Sequence, residues 1–280
     1  MAVINWGFFE GWSPELAWWL GVLYGDGNVY AKRGTYRVSM VGNRATAERW
    51  LALFAPEKTP KRIRKGVRAV QAYADSKQLV ELVEERFGIC GPKTHDLRWP
   101  LELPRELEPH FFRGLWDADG HVSLSKRGKG QGNDYPLAMY SSACRTFLQT
   151  MRVRLMRWTG VSRAAIVEQC KGRSFWYSVK WTGSKAILVL DYLYLEAPEH
   201  IRNETKYQVY REAREHYLDV QMALCACGRP VTREDQCQAC WWKGRRKTGK
   251  GTLCEECNEK PVLAKGLCSA CYTRKRRACA

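Results

Sequence analysis

Two acidic residues close apolar stretches in the same manner: Trp19-Leu20-Gly21-Val22-Leu23-Tyr24-Gly25-Asp26-Gly27 and Phe112-Arg113-Gly114-Leu115-Trp116-Asp117-Ala118-Asp119-Gly120, with the two carboxylates 93 residues apart. A lone Asp-Gly is ordinary turn chemistry, but a duplicated one calls for a joint explanation. Each acid stands at the C-terminal end of an apolar helix, where backbone carbonyls already carry partial negative charge. Two such ends placed side by side repel each other unless a cation sits between them. Oxygen donors favour Mg²⁺ over a softer metal, and bound Mg²⁺ can polarise a phosphate, supply hydroxide and stabilise a leaving 3′ oxygen. The chemistry this suits is phosphodiester hydrolysis, with Asp26 and Asp119 as metal ligands and the adjoining Gly25 and Ala118 completing the site.

A second constellation lies at the other end of the chain. Nine of the twelve cysteines follow residue 224, and eight of them form close pairs: Cys225 with Cys227, Cys237 with Cys240, Cys254 with Cys257, and Cys268 with Cys271. Disulfides would pair them in an oxidising compartment, but in a reducing one the spacing fits two four-cysteine zinc sites. Four thiolates leave no open position for a catalytic water, so these sites read as structural. Cys279 is left over, and Cys90, Cys144 and Cys170 read as isolated buried thiols. Residues 243–280 hold eleven Lys or Arg against three Glu. Arg245 and Arg246 between the sites, and Arg274 and Arg276 near the end, can track phosphate. A protein-binding ribbon is the other reading of this segment.

The elements that position these residues repeat. Ser13-Pro14 opens a helix that Gly27 stops, followed by strands at 28–30 and 35–41 around Lys32-Arg33-Gly34. Ala45 to Phe54 reads as a helix, 62–64 and 67–73 as a hairpin around Lys65-Gly66, and Lys77 to Phe87 as a helix with Leu79, Val80, Leu82 and Val83 on one face. The same order recurs: a helix at 109–118, strands at 121–125 and 137–141, a helix at 145–158, strands at 164–170 and 174–181, and a helix at 185–194. Glu199 to Tyr217 reads as one polar connector helix. Gly21 and Gly25, like Gly114 and Ala118, lie four apart on one helix face. Small residues so placed let two helices meet at backbone contact, which would bring Asp26 and Asp119 together. The expected organisation is an α+β chain of two pseudo-symmetric halves, 1–92 and 93–220 including the connector, followed by a zinc-binding region, 221–280.

Composition narrows the partner. A formal charge of +17 on 280 residues favours a polyanion, nucleic acid ahead of membrane or acidic protein. No stretch approaches the roughly 18 apolar residues of a membrane span, and no signal segment is evident, so a cytoplasmic, nucleoid-associated monomer is expected.

Over roughly residues 14–206 the chain resembles the single-chain, double-motif LAGLIDADG homing endonucleases. Gly114 to Gly120 lies close to that family's motif; the first copy is looser, with Tyr24 and Gly25 where the family has Asp and Ala, but it keeps Asp26. The resemblance implies paired αββαββα halves forming a saddle over duplex DNA. It further implies cleavage of one phosphodiester per strand across the minor groove, with Asp26 and Asp119 each serving one strand and short 3′ overhangs left behind. Mg²⁺ or Mn²⁺ is the implied cofactor, with Ca²⁺ as a non-cleaving substitute. Many members carry a lysine about twenty residues before the second motif; here Arg98 occupies that region and either supplies the charge or binds phosphate. Lys180 is the candidate for the other half, against the plainer reading of a solvated lysine.

A sheet laid along the major groove sends alternate side chains to the bases. Asn28, Tyr30 and Lys32, Arg37 and Ser39, Arg62 and Arg64, and Ser178 and Lys180 fall at spacing two. Arg68, Gln71, Gln169 and Arg173 are suitable in type but not in that register, and Lys126 and Arg127 lie in a basic hairpin loop. A solvated polar sheet face is the alternative for all of them. Two other functions stay open: a non-cleaving DNA-binding regulator on the same fold, and an intron-RNA maturase.

Overall fold

Ser13 is extended and its hydroxyl accepts the Leu16 amide at 3.0 Å, so Pro14 enters the first turn without a lost hydrogen bond and α1 runs over Pro14–Asp26. The structure is a computed structural model that describes residues 3–63, 68–89, 96–100, 102–126, 134–161, 164–171 and 174–222. After α1 the backbone extends at Gly27 into β1 (Gly27–Lys32), which pairs antiparallel with β2 (Thr35–Gly42). Lys32 belongs to the strand, so the turn is Arg33-Gly34 alone. Both residues have positive φ, 52° and 75°, the geometry whose twist suits a two-residue hairpin. α2 (Arg44–Ala52), β3 (Lys61–Arg62), β4 (Val70–Asp75) and α3 (Lys77–Phe87) complete the first half.

The second half repeats the sequence of elements: α4 (Glu108–Asp119), β5 (His121–Ser125), β6 (Tyr135–Ser142), α5 (Arg145–Thr159), β7 (Ile166–Lys171), β8 (Ser174–Thr182) and α6 (Ser184–Tyr194). The sheets have matching strand orders, β1-β2-β4-β3 and β5-β6-β8-β7. Both are wholly antiparallel, and one face of each is apolar: Val29, Val38, Met40, Val70, Ala72 and Ala74 are buried in the first sheet. Helices cover that face and polar side chains occupy the other. This is the expected α+β fold of two αββαββα halves.

α1 packs along α4, and every residue from Leu16 to Tyr24 is buried. One hydrophobic cluster spans both halves, which together form a compact unit reaching Tyr217. Stacked Trp19 and Trp50, 5.2 Å apart, anchor its first-half side, and Trp99 packs on Phe111, Phe112 and Phe147 in the second. No helix among the described residues is long and apolar enough to cross a membrane.

Three expectations are corrected. The strands of the second hairpin of the first half are displaced from the expected 62–64 and 67–73 to Lys61–Arg62 and Val70–Asp75, set by the pairing of Arg62 with Val70; residues 64–67 lie outside the described residues. Cys170 is exposed on edge strand β7, while Cys144 is buried as expected. The connector is broken into a 3₁₀ turn at Glu199–Ile201 and α7 (Glu204–Met222). Asn203 makes the break: its side-chain oxygen caps α7 by accepting the Lys206 amide at 3.2 Å, while its own amide turns away to Asp117. The cysteine pairs, with Cys90, Arg64, Arg127, Arg173, Arg245, Arg246, Arg274 and Arg276, lie outside the described residues.

Candidate active site

Gly21 and Gly114 face each other across the seam between α1 and α4. A Cβ on Gly21 would collide with the Phe111 carbonyl oxygen and stand 2.9 Å from the Gly114 Cα; one on Gly114 would collide with the Trp18 carbonyl oxygen and stand 2.9 Å from the Gly21 Cα. One turn on, a Cβ on Gly25 would meet the Ala118 methyl and come within 3.2 Å of Asp119 Oδ2. The helices therefore run together in backbone contact to their C-terminal ends, and Asp26 and Asp119 finish the two helices at the same end of the seam. At the end of β2, a Cβ on Gly42 would lie 3.3 Å from Asp26 Oδ2, so this glycine leaves room for the carboxylate.

Two groups stand in the field of both acids. Burial first, then Asp119 and Asp26, push the Tyr140 hydroxyl well above its ordinary range. Burial lowers the Lys206 ammonium while Asp117, Asp26 and Asp119 hold it up. A cavity of about 270 Å³ opens beside Asp119, bounded by Tyr24, Gly25, Leu97, Tyr140 and Trp176 among others.

The second motif is held by Asp117, which is buried at 3% exposure. Its carboxylate accepts from Trp18 Nε1 (2.8 Å), the Tyr194 hydroxyl (2.7 Å) and the Asn203 amide (2.8 Å), tying together α1, α4, α6 and the start of α7. Burial raises its pKa, opposed by the hydrogen bonds from Tyr194 and Trp18 and by the charges of Arg113 and Lys206. In the first motif the equivalent position is Tyr24, whose hydroxyl donates to the Phe87 carbonyl at 3.1 Å.

Arg113, also on α4, donates to the carbonyls of Ile201 and Leu193, and its Nη2 lies 2.6 Å from His110 Nδ1. Since guanidinium only donates, that nitrogen of His110 must accept, and the imidazole is neutral. Burial and then the Arg113 charge depress it to about 4 from 6.5. Between those values the unfolded chain binds the extra proton and the folded one does not. The resulting stability is present above pH 6.5 and is lost as pH falls towards 4. Urea midpoints are expected to decline over that window, and His110→Gln is expected to flatten the decline.

Cross-strand register decides which of the sequence candidates share a face. Asn28 pairs with Ser39 and Tyr30 with Arg37; Arg37 in turn pairs with Asp75, and Val41 with Gln71. Asn28, Tyr30, Lys32, Arg37, Ser39 and Gln71 thus lie on the polar face of the first sheet, and Gln71 fits the register that spacing alone denied it. Arg62 is corrected: it pairs with Val70 and takes the helix-side parity, while Lys61, opposite Gln71, takes the polar face. In the second sheet Gln169, Ser178 and Lys180 share the polar face. Ser39 and Ser178 are sunk into it, at 2% and 4% exposure, with Ser178 accepting from Gln169 at 3.1 Å, so neither presents a free hydroxyl to a base. Arg37 already pairs with Asp75 and lies over the Tyr73 ring. Arg68 and Lys126 are exposed outside the strands.

The basic candidates fare differently. Arg98 is 85% exposed and pairs with Asp96; its neighbour Leu97 is the residue that lines the cavity. Lys180 is exposed on β8 opposite Met139. Sequence reasoning missed Lys206, whose ammonium donates to the carbonyls of Trp116 (2.6 Å), Asp117 (3.0 Å) and Ala118 (3.2 Å). The only local signal was the Asn203 cap three residues earlier.

Among the described residues no three His, Cys, Asp or Glu side chains gather into a metal cage. Two carboxylates with adjacent backbone carbonyls do fit Mg²⁺, which is commonly held by one or two carboxylates while waters and substrate phosphate complete its shell.

Comparison with known proteins adds a match over part of the chain. Residues 106–185 match the LAGLIDADG-like domain. A 139-residue stretch is 30% identical to a replication factor C small subunit of Methanocaldococcus jannaschii; it covers 46% of this chain, and the chain spans 7% of that relative. Similar solved structures include a mesophilic variant of the homing endonuclease I-DmoI (17% identity, 64% of this chain and 95% of that one, TM-score 0.43). Another is the I-LtrWI LAGLIDADG homing endonuclease bound to target DNA (9% identity, 72% and 89%, TM-score 0.49). The I-SmaMI enzyme bound to cleaved DNA is a third (12% identity, 74% and 89%, TM-score 0.45). With its second acid motif inside the matched segment and the same architecture repeated before it, this chain carries a LAGLIDADG-like domain.

Proposed function

We propose that the chain is a site-specific, divalent-metal-dependent DNA endonuclease that hydrolyses one phosphodiester in each strand of a long target. The observation that carries this reading is the meeting of Asp26 and Asp119 at the paired ends of α1 and α4, each at the edge of a sheet with a polar outer face. Mg²⁺ or Mn²⁺ held there supplies a polarised phosphate and an activated water. Asp26 and Asp119, with the Gly25 and Ala118 carbonyls, hold the metal. Asn28, Tyr30, Lys32 and Gln71 in one sheet, and Gln169 and Lys180 in the other, face the duplex and fix its register.

The scissile bonds then lie across the minor groove and the products carry short 3′ overhangs. The cysteine pairs after residue 224 bind two structural Zn²⁺ ions, and the basic residues among them extend the contact with phosphate. The chain acts as a monomer in the cytoplasm, and an intron or other mobile element is its genetic home.

Cleavage selection from a randomised duplex library tests the reading. The full chain is expected to enrich one long target with Mg²⁺ and to cut nothing with EDTA, cutting returning when Mg²⁺ is restored. Enrichment that persists in EDTA, or tight duplex binding without any cutting in Mg²⁺ or Mn²⁺, would overturn it.

A further inference from the structure

The last carbonyls of a helix have no partner within it and carry its negative end. At α4 three successive carbonyls, those of Trp116, which also accepts the Gly120 amide at 2.9 Å, and of Asp117 and Ala118, converge on one ammonium, Lys206 Nζ, at 2.6, 3.0 and 3.2 Å. An ammonium has three protons, so all are committed to this helix end. The last of the three carbonyls belongs to the residue directly before Asp119. Lys206 is itself fixed: its amide donates to the Asn203 side chain, and the Asn203 amide donates to Asp117. The lysine thus belongs to a closed loop of contacts joining the start of α7 to the end of α4.

We propose that Lys206 is a positioning residue of the cleavage site, acting through Ala118 and Asp119. Its charge offsets the repulsion between the Asp26 and Asp119 carboxylates and the two helix ends, and its three hydrogen bonds fix the peptide that aims Asp119. This rests on the nuclease reading above, and it supplies a cation at the acid pair where Arg98, exposed beside Asp96, does not. Because the contacts are to α4 and not to α1, the effect falls on the strand that Asp119 serves. Lys206 does not touch the substrate; it sets the geometry of the group that does.

The test compares Lys206→Met and Lys206→Arg in the full chain on the selected duplex, with each strand labelled separately. Lys206→Met is expected to slow the Asp119 strand at least tenfold and the other strand less than threefold, with duplex affinity in Ca²⁺ unchanged and partial recovery in Lys206→Arg. Terbium luminescence sensitised by nearby aromatic rings reads the same geometry without turnover. Its titration midpoint is expected to rise severalfold in Lys206→Met, with a smaller rise in Lys206→Arg. Equal slowing of both strands with a lowered melting temperature, or an unchanged terbium midpoint with both strands cut at the wild-type rate, would overturn the proposal. Where Lys206→Met fails to fold, Lys206→Gln, which keeps donors but no charge, is read against the same outcomes. A wild-type chain that binds terbium but cuts no DNA would sink the nuclease reading alone, and the terbium comparison would still decide the role of Lys206.

Discussion

Asp26→Asn and Asp119→Asn are each expected to convert a double-strand cutter into a nickase, with opposite strands spared. Asparagine keeps the shape of aspartate but not the charge that holds a hard cation. The loss on the affected strand is expected to be about 10³-fold or more, equivalent to roughly 4 kcal/mol of barrier. Strand-resolved single-turnover cleavage measures it. A second readout separates this from misfolding: both acids stand at negative helix ends and repel each other, so each substitution is expected to raise the melting temperature while it lowers the rate. Undiminished cutting of both strands in either variant would refute the role of that carboxylate.

Gly21→Ala and Gly114→Ala are expected to be strongly destabilising, against the direction that helix propensity alone sets. Alanine should gain about 1 kcal/mol of helix propensity over glycine. Here its methyl meets backbone, which cannot rotate aside, so the two helices must part. Overpacking of this kind is expected to cost about 3 kcal/mol or more net of that gain. For a unit of this size that is a fall of about 6–12 °C in Tm. Gly11→Ala serves as the control, since a Cβ there meets nothing within 4 Å. Parting the helices also separates Asp26 from Asp119, so cleavage is expected to fail in these variants even below their melting temperature. Wild-type stability in Gly21→Ala would mean that the helices are not in backbone contact, and the pairing of the acids would lose its basis.

The architecture was legible where local rules govern it. Ser13 and Pro14 mark the start of α1, Lys77 to Phe87 coincides with α3, and the repeated helix–strand order exposes both halves. The glycine spacing correctly pointed to close helix packing. What could not be read depends on distance or register. Nothing near Lys206 indicates that it will meet carbonyls 88 to 90 residues away, and nothing near Asp117 shows that Trp18, Tyr194 and Asn203 will converge on it. The exchange of Arg62 for Lys61 on the polar face is a one-residue shift of register, which inverts every side chain of a strand. The burial of Ser39 and Ser178 likewise follows from their neighbours across the sheet.

The unlike anchors of the two motifs, Tyr24 on the Phe87 carbonyl and Asp117 on three donors, mean that the halves are no longer interchangeable parts. A symmetric dimer made from two second halves would need an Asn203 and a Trp18 for each Asp117, yet Trp18 comes from the first half, and in the second half Phe111 holds the matching place. Divergence after duplication has therefore locked these halves into a single reading order, and redesign of either must carry its partner's anchoring residues along with it.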